Sequence, residues 1–167
     1  MNCGAIVIDR PPHLASDTAS YIEAVQDMMQ HIPNIQNNDI VVLLETTSPI
    51  RGVSDIEACI EMLDEETDCV MSVTKVKIHP AYMYKLHYDR MVPYSSLTPK
   101  NRQEMEELFA YTGSILATTI GFLKNQKNTP YGGRMKGYIL KEKKSMDIDT
   151  QLDFQICDFI MRQNHDL

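Results

Sequence analysis

The sequence predicts a three-layer α/β/α fold, in which helices pack on both faces of one sheet. Residues 40–44 form a continuous apolar run with the length of a strand that is covered on both faces, and residues 69–76 are predicted to be the next strand. An amphipathic segment with helical spacing precedes each run, and this alternation is typical of βαβ units. Ligands of such folds bind beyond the carboxyl ends of the strands. We therefore expect a cleft bordered by Arg10, the loop at 45–51 and the segment after residue 76.

The composition is that of an ordinary globular protein and disfavours nucleic acid as a partner. The 167 residues suffice for a single domain, residues 1–167, and 43% of them are hydrophobic and 23% charged. A net charge of −7 is unsuited to a phosphate backbone. The sequence has neither a membrane-spanning apolar run nor a signal-peptide pattern, so we expect a cytoplasmic protein with no membrane partner. Its four cysteines form no C-x-x-C pair and are expected to be reduced core thiols: Cys3, Cys59, Cys69 and Cys157.

Local signals place the first elements of the chain. Residues 5–8 form a short apolar run that reads as a strand and ends before two prolines, which favour a loop. Ser16 or Asp17 is expected to cap a helix that ends near Gln30. The buried stripe of this helix is predicted from helical spacing to be Ile22, Val25, Met28 and Met29.

The remaining elements follow from capping and periodicity. Ser54 and Glu57 have the spacing of a capping box for a helix that ends near Leu63. Residues 77–110 lack a regular pattern, and we interpret them as an excursion of short strand pieces and a long loop that carries substrate contacts or a dimer interface. The pattern then predicts a strand, a short helix, a loop, a strand and a terminal helix, at residues 113–118, 119–125, 128–134, 136–140 and 151–162.

A pair of aspartates near the end of the chain predicts a cation site. Asp147 and Asp149 are separated by one apolar residue, and in an extended backbone their side chains leave on the same face while Ile148 points into the core. Two carboxylates suit Mg²⁺, which also binds waters and substrate phosphates. The alternative is a polar turn that leads into a helix capped by Thr150, because short D-x-D matches are common.

Four segments in collinear order resemble one enzyme family, and they span nearly the whole chain. They lie at residues 10–20, 43–51, 102–115 and 145–154. The last segment reads S-M-D-I-D-T-Q-L-D-F, where the family has S-I-D-I-D-T-E-L-D-F. On these segments the chain resembles the acylneuraminate cytidylyltransferases, which are CMP-sialic acid synthetases. The 3-deoxy-manno-octulosonate cytidylyltransferases share the fold but match these segments less well.

The resemblance implies a nucleotide-diphospho-sugar transferase-like (Rossmann-like) mixed sheet and a Mg²⁺-dependent nucleotidyltransferase. The implied reaction transfers CMP from CTP to the anomeric hydroxyl of N-acetylneuraminic acid or a related nonulosonic acid and releases pyrophosphate. Asp147 and Asp149 would be both the catalytic residues and the Mg²⁺ ligands. The implied nucleotide-binding residues are Arg10 and Ser20. The implied sugar-binding residues are Glu45, Thr47, Lys85, Arg102 and Thr112.

The resemblance also implies a homodimer formed through the excursion at 77–110. The residues alone favour a different interpretation, in which Arg10 and Lys85 are solvated surface charges and Arg102 is a loop residue. The chain departs from the family in three ways. It lacks the family's first strand and triphosphate loop, it has Glu45 in place of a glutamine, and it has Thr112 in place of an asparagine.

These departures leave three functions open. The first is synthesis of a CMP-sugar, for which the missing loop predicts a severe loss of turnover. The second is a catalytically dead pseudo-enzyme that binds a CMP-sugar or pairs with a full-length subunit. The third is a scaffold that acts through its dimer surface.

Overall fold

The helices and strands alternate through most of the chain. A computed structural model describes residues 4–16 and 18–163, and for Arg102 the backbone alone. The α-helices are α1 (Tyr21–Gln30), α2 (Val53–Glu61), α3 (Ile120–Lys124) and α4 (Gln151–Gln163). The strands are β1 (Ile40–Leu43), β2 (Cys69–Lys75), β3 (Tyr84–His87), β4 (Arg90–Pro93), β5 (Phe109–Thr119) and β6 (Met135–Ile139).

The main sheet is mixed, as predicted. Its strand order is β1-β5-β2-β6, with β5 antiparallel to both β1 and β2, and β2 parallel to β6. Strands β1, β2 and β6 therefore run in the same direction and end at one edge of the sheet, where β5 begins. Residues 40–44 were expected to be a strand covered on both faces in a parallel setting. Both of its faces are covered, because Val41 and Leu43 pack against one buried cluster and Val42 packs against another. The strand is, however, at the side of the sheet and next to an antiparallel partner, and its first residue, Ile40, is 47% exposed.

Helices cover both faces of this sheet, which confirms the three-layer prediction. One buried cluster joins α1, α3 and β1: Ile22, Val25, Met29, Ile120 and Leu123, with Val41 and Leu43 packed against it. The other face carries α2, and its cluster consists of Cys59, Val70, Ile115 and Ala117. Cys59, Cys69 and Cys157 are buried free thiols, and Cys3 lies outside the described residues. Within the described chain, no helix has the length and apolarity required to cross a bilayer.

Several predicted boundaries were wrong for local reasons. Residues 5–8 form no strand, and the side chains of Ile6 and Val7 are 90% and 86% exposed, because no neighbouring strand pairs with them. Helix α1 begins at Tyr21 and not near residue 16, because the Ser20 Oγ accepts the Glu23 N–H and caps it there. Asp17, the other proposed cap, lies outside the described residues. Gly52, not Ser54, is the N-cap residue of α2.

The terminal helix begins as predicted. The Thr150 Oγ accepts the Asp153 N–H at 3.2 Å, and an Asp153 oxygen accepts the Thr150 N–H at 2.8 Å, a reciprocal cap. Cys157 is buried, whereas Leu152, Phe154 and Phe159 are more than half exposed.

The excursion folds apart from the main sheet. Strands β3 and β4 pair only with each other, as a hairpin whose turn contains Tyr88 at a φ of 58°. All eight residues of the two strands are exposed. Strand β5 begins at Phe109, four residues before the predicted start, so the excursion is shorter than expected at its carboxyl end.

A largely buried ion pair ties the start of α2 to the turn after β6. Lys144 Nζ lies 2.5 Å from Asp55 Oδ2, and the two side chains are 16% and 8% exposed. Asp55 also accepts the Gly52 N–H at 2.8 Å and the Tyr138 hydroxyl at 3.0 Å. Burial raises the pKa of Asp55, but the hydrogen bonds from Lys144, Gly52 and Tyr138 outweigh it and hold the pKa below its ordinary value.

This ion pair predicts a specific loss of stability in acid. Because the folded-state pKa of Asp55 is depressed, its stabilisation is present above the unfolded-state pKa and is lost as the pH falls through the folded-state pKa. We expect Asp55→Asn to reduce the free energy of unfolding at neutral pH by about 3 kcal/mol, because Lys144 would keep a buried charge without its carboxylate. The variant should also lose part of the fall in Tm below about pH 4.

Thermal melts across this pH range measure both effects. Asp158→Asn is the matched control, because it removes one partner of the exposed pair with Arg162 on α4 and should leave the acid profile unchanged. Superimposable acid profiles for the wild type and Asp55→Asn would show that the Asp55 carboxylate does not have this role.

Candidate functional site

The candidate site lies at the edge of the sheet where β1, β2 and β6 end. The chain leaves β1 into the loop at 44–52 and leaves β6 into residues 140–150, which carry the aspartate pair. Strand β5 enters this edge with Thr112 and Gly113. Three parallel strand ends thus bring the predicted residues of two distant segments to one place.

Residues 145–150 are held against the loop after β1. The Ile148 N–H donates to the Thr47 carbonyl at 2.8 Å, and the Ser48 Oγ lies 3.2 Å from Asp147 Oδ1. The backbone has no turn or bend at residues 146–149. Asp147 and Asp149 are exposed while Ile148 is half-buried. Both carboxylates therefore face solvent at the strand ends.

Ser48 is the buried residue through which the loop reaches the aspartate pair. Its side chain is 1% exposed. The Ser48 Oγ also lies 3.4 Å from the Thr112 carbonyl, and its single proton can satisfy only one of these acceptors at a time. Asp147 is the stronger acceptor because it carries a charge.

The Arg51 guanidinium forms hydrogen bonds with backbone carbonyls of the same loop. Its Nη1 donates to the carbonyls of Glu45 at 2.7 Å, Ser48 at 2.5 Å and Ser114 at 3.2 Å. Burial lowers the pKa of Arg51, and the Glu45 carboxylate opposes that shift. One side chain therefore joins the beginning and the middle of the loop backbone to β5.

Thr112 and Gly113 shape the floor of the site. The Thr112 hydroxyl is buried and lies 2.7 Å from the Ser72 Oγ, so this side chain is bonded to β2. Gly113 has a φ of 73°, in the left-handed region that favours glycine. A Cβ at this position would lie 3.7 Å from Glu45 Cγ and 3.8 Å from the Ser48 Oγ. Glu45, Ser48 and Gly113 are thus direct neighbours.

Glu45 lies in a group of tyrosines. The Tyr21 hydroxyl, at the start of α1, lies near the Glu45 carboxylate, and burial together with Glu45 raises the pKa of Tyr21 while Arg10 opposes the rise. Burial and the Glu45 charge likewise raise the pKa of Tyr111 to about 12. The Tyr111 and Tyr131 rings are 5.7 Å apart between centroids. Arg10 and the Ser20 cap therefore lie on the α1 side of the same site.

The other two predicted sugar-binding residues belong to the excursion. Lys85 lies on β3, and its Nζ is 5.5 Å from the centroid of the Tyr94 ring. Arg102 begins a short 3₁₀ turn, Arg102–Glu104, and the structure describes only its backbone. Gln103 lines a groove of about 1000 Å³ between residues 75–82 and 103–108. The aspartate pair does not line this groove, so the predicted residues fall into a central group and an excursion group.

The donor atoms of the aspartate pair fit Mg²⁺. In the described part of the chain no three His, Cys, Asp or Glu side chains are grouped so that they could hold a metal ion. Mg²⁺ needs no such group, because it takes one or two carboxylates and completes its shell with water and substrate phosphates. Two solvent-facing carboxylates with a hydroxyl on the inner side satisfy that requirement.

Ser48, Arg51 and Tyr21 contribute to this edge although the sequence patterns did not single them out. Ser48 and Arg51 lie in the loop after the first buried strand, and that position was a usable signal. Tyr21 carried no comparable signal, because an aromatic residue in a first helical turn is ordinarily part of the core.

Comparison with known proteins adds distant relatives and no family match. No protein-family model matches the chain. It is 24% identical to the post-translational flagellin modification protein B of Campylobacter coli, over 97% of this chain and 70% of that protein. It is 25% identical to the N-acylneuraminate cytidylyltransferase of Escherichia coli, over 97% of this chain and 38% of that protein. It is 25% identical to the CMP-N,N'-diacetyllegionaminic acid synthase of Legionella pneumophila, over 94% of this chain and 69% of that protein. These similarities support a loose relationship to cytidylyltransferases of nonulosonic acids.

The Glu45 environment predicts a measurable change in two tyrosines. Burial is the main cause of the raised pKa of Tyr21 and of Tyr111, and the Glu45 charge adds to it. We expect Glu45→Gln to lower both pKa values part of the way to the ordinary value of about 10. Alkaline titration of the tyrosines followed by NMR measures this. Tyr138, whose pKa is raised by burial and Asp55, is the internal control. Unchanged titration of Tyr21 and Tyr111 would contradict the proximity of Glu45.

Proposed function

We propose that this chain is a Mg²⁺-dependent nucleotidyltransferase that transfers CMP from CTP to the anomeric hydroxyl of N-acetylneuraminic acid or a related nonulosonic acid, with release of pyrophosphate. The observation that carries the proposal is the placement of Asp147 and Asp149, which the Thr47 and Ser48 contacts hold toward solvent where three strands end. The names of two distant relatives support the same class of reaction.

The aspartate pair would hold the cation. Asp147 and Asp149 supply the carboxylate oxygens, and Mg²⁺, when bound, would supply Lewis-acid stabilisation and a template for phosphate and sugar oxygens. The Ser48 hydroxyl orients Asp147 by donating to one of its oxygens. The second oxygen then remains available on the solvent side.

The start of α1 would bind the nucleotide. The Ser20 Oγ accepts the Glu23 N–H, so the Ser20 hydroxyl proton remains free to donate. The free N–H groups of the first turn add a positive partial charge that suits a phosphate. Arg10 is exposed beside this turn, close enough to Tyr21 to affect its pKa. Together they form a donor-rich surface on the side of the site where Tyr21 lies near Glu45.

Glu45 would determine which sugar groups are accepted. Its carboxylate can only accept hydrogen bonds, so it favours sugar hydroxyl or amide N–H groups and repels the sugar carboxylate. Thr47 would add a neutral contact from the same loop. Thr112 is bonded to Ser72, so its contribution would be the shape of the floor.

The excursion would have two roles. It would add sugar-binding residues, and its hairpin would form the interface of a homodimer. Lys85 and Arg102 would meet the sugar carboxylate, for which cationic partners are needed. The hairpin offers an unpacked apolar surface for self-association, since Leu86 and Met91 are 70% and 62% exposed.

Pyrophosphate release from CTP and N-acetylneuraminic acid in the presence of Mg²⁺ tests the proposed reaction. We expect Asp147→Ala and Asp149→Ala each to reduce the rate at least about 100-fold, because each removes a carboxylate from the metal. Asp158→Ala, which alters an exposed aspartate of α4, is the matched control and should retain the rate.

Two results would count against catalysis. Equal rates in the wild type and in both aspartate variants would exclude the assigned metal ligands. Binding of a CMP-sugar without any pyrophosphate release would instead identify a catalytically inactive binding protein.

Glu45→Gln provides a separate prediction on sugar specificity. Removing the carboxylate removes its repulsion of an anionic sugar, and we expect the Kd for N-acetylneuraminic acid to fall by roughly 5-fold to 10-fold. Isothermal titration with the sugar in the absence of CTP, where no turnover can occur, measures this. Glu57→Gln, on the exposed side of α2, controls for the change in net charge. Equal affinities would show that Glu45 does not face the sugar.

A further inference from the structure

We infer that Arg51 is a positioning residue: by holding the backbone of the loop after β1, it fixes the aspartate pair in its outward-facing arrangement. One nitrogen, Nη1, lies 2.7 Å from the Glu45 carbonyl and 2.5 Å from the Ser48 carbonyl. The same atom lies 3.2 Å from the Ser114 carbonyl on β5. A single side chain therefore joins the beginning and the middle of this loop to the central strand of the sheet.

The loop transmits this constraint to the aspartates through two hydrogen bonds. The Thr47 carbonyl accepts the Ile148 N–H at 2.8 Å, and the Ser48 hydroxyl donates to Asp147 at 3.2 Å. Arg51 binds the Ser48 carbonyl itself, and Thr47 lies in the chain between the two residues, Glu45 and Ser48, whose carbonyls Arg51 binds. Without the Arg51 contacts, the bond of the Ser48 N–H to the Glu45 carbonyl at 3.3 Å would remain. The loop that makes both bonds to the aspartate segment would then be held less firmly.

The chemistry of Arg51 indicates a role beyond general stability. Within the described chain, no carboxylate forms an ion pair with Arg51, and its guanidinium is solvated by peptide carbonyls. A partly buried charge of this kind is costly, and burial lowers the pKa of Arg51 accordingly. What this arrangement provides is a loop with a defined backbone, because a planar guanidinium accepts few alternative geometries.

Hydrogen exchange measured by NMR tests the inference without any need for activity. In Arg51→Gln we expect the Ile148 amide to exchange about 5-fold to 10-fold faster, as for the loss of one net hydrogen bond. Arg51→Lys keeps the charge and should restore protection in part. Amides of the β2–β5 ladder should be unchanged in both variants. A purely structural role would instead accelerate exchange across the whole sheet.

Arg134→Gln is the matched control. Arg134 also donates to a backbone carbonyl, that of Glu65 at 3.0 Å. It forms an exposed ion pair with Asp68 and lies away from the aspartate segment. Its removal should leave the protection of Ile148 unchanged. If Arg51→Gln leaves Ile148 as protected as in the wild type, the inference is overturned. If the glutamine variant fails to fold, the Ile148 amide of Arg51→Lys is measured instead, and protection equal to that of the wild type would overturn the inference.

The kinetic consequence rests on the proposed function and is measured separately. If the wild type is active, we expect Arg51→Lys to have a kcat roughly 10-fold to 100-fold lower, with little change in KM for CTP. Losses of this size are typical when a residue that orients a metal ligand is replaced. If the wild type neither binds Mn²⁺ nor releases pyrophosphate, the proposed function fails while the exchange experiment still decides the role of Arg51. An active wild type with an equal kcat in Arg51→Lys and unchanged Ile148 protection would overturn the inference alone.

Discussion

The antiparallel course of β5 between β1 and β2 is the constraint on which the site depends. Because β5 pairs with both neighbours in the opposite direction, β1 and β2 run parallel to each other without touching. Their carboxyl ends, together with that of β6, therefore reach one edge of the sheet. The residues that form the candidate site come from five separate parts of the sequence, and this strand order is what brings them together.

At that edge the chain relies on its backbone groups more than on side-chain pairs. The carbonyls of Glu45 and Ser48 accept hydrogen bonds from Arg51 of the same loop, and the Thr47 carbonyl accepts one from Ile148 of the aspartate segment. Carboxylates that must bind a cation gain from this, because every donor that fixes their segment through the backbone leaves their own oxygens available. The hydroxyl of Ser48 is the exception, and it occupies one oxygen of Asp147 only.

The layers, the main helices and most strands could be predicted from the sequence, because apolar periodicity is a local signal. The direction of β5 could not, since an apolar run contains no information about the orientation of its partner. Residues 5–8 show the same limit: Ile6 and Val7 suit a strand, but a strand exists only when another strand pairs with it. Asp147, Asp149 and the loop at 45–51 were located by their position after strands. The contacts of Arg51 with backbone carbonyls could not be foreseen, because they join residues that share no sequence pattern.

The ion pair between Asp55 and Lys144 also limits how this molecule can move. It fastens helix α2 to the turn that precedes the aspartates, while the Thr47 and Ser48 bonds fasten the residues that follow. The carboxylate segment, the loop after β1 and α2 are thus parts of one rigid block. Any closing motion around a bound molecule must originate elsewhere, and the hairpin of β3 and β4, which pairs with no other strand, is the element with the freedom to make it.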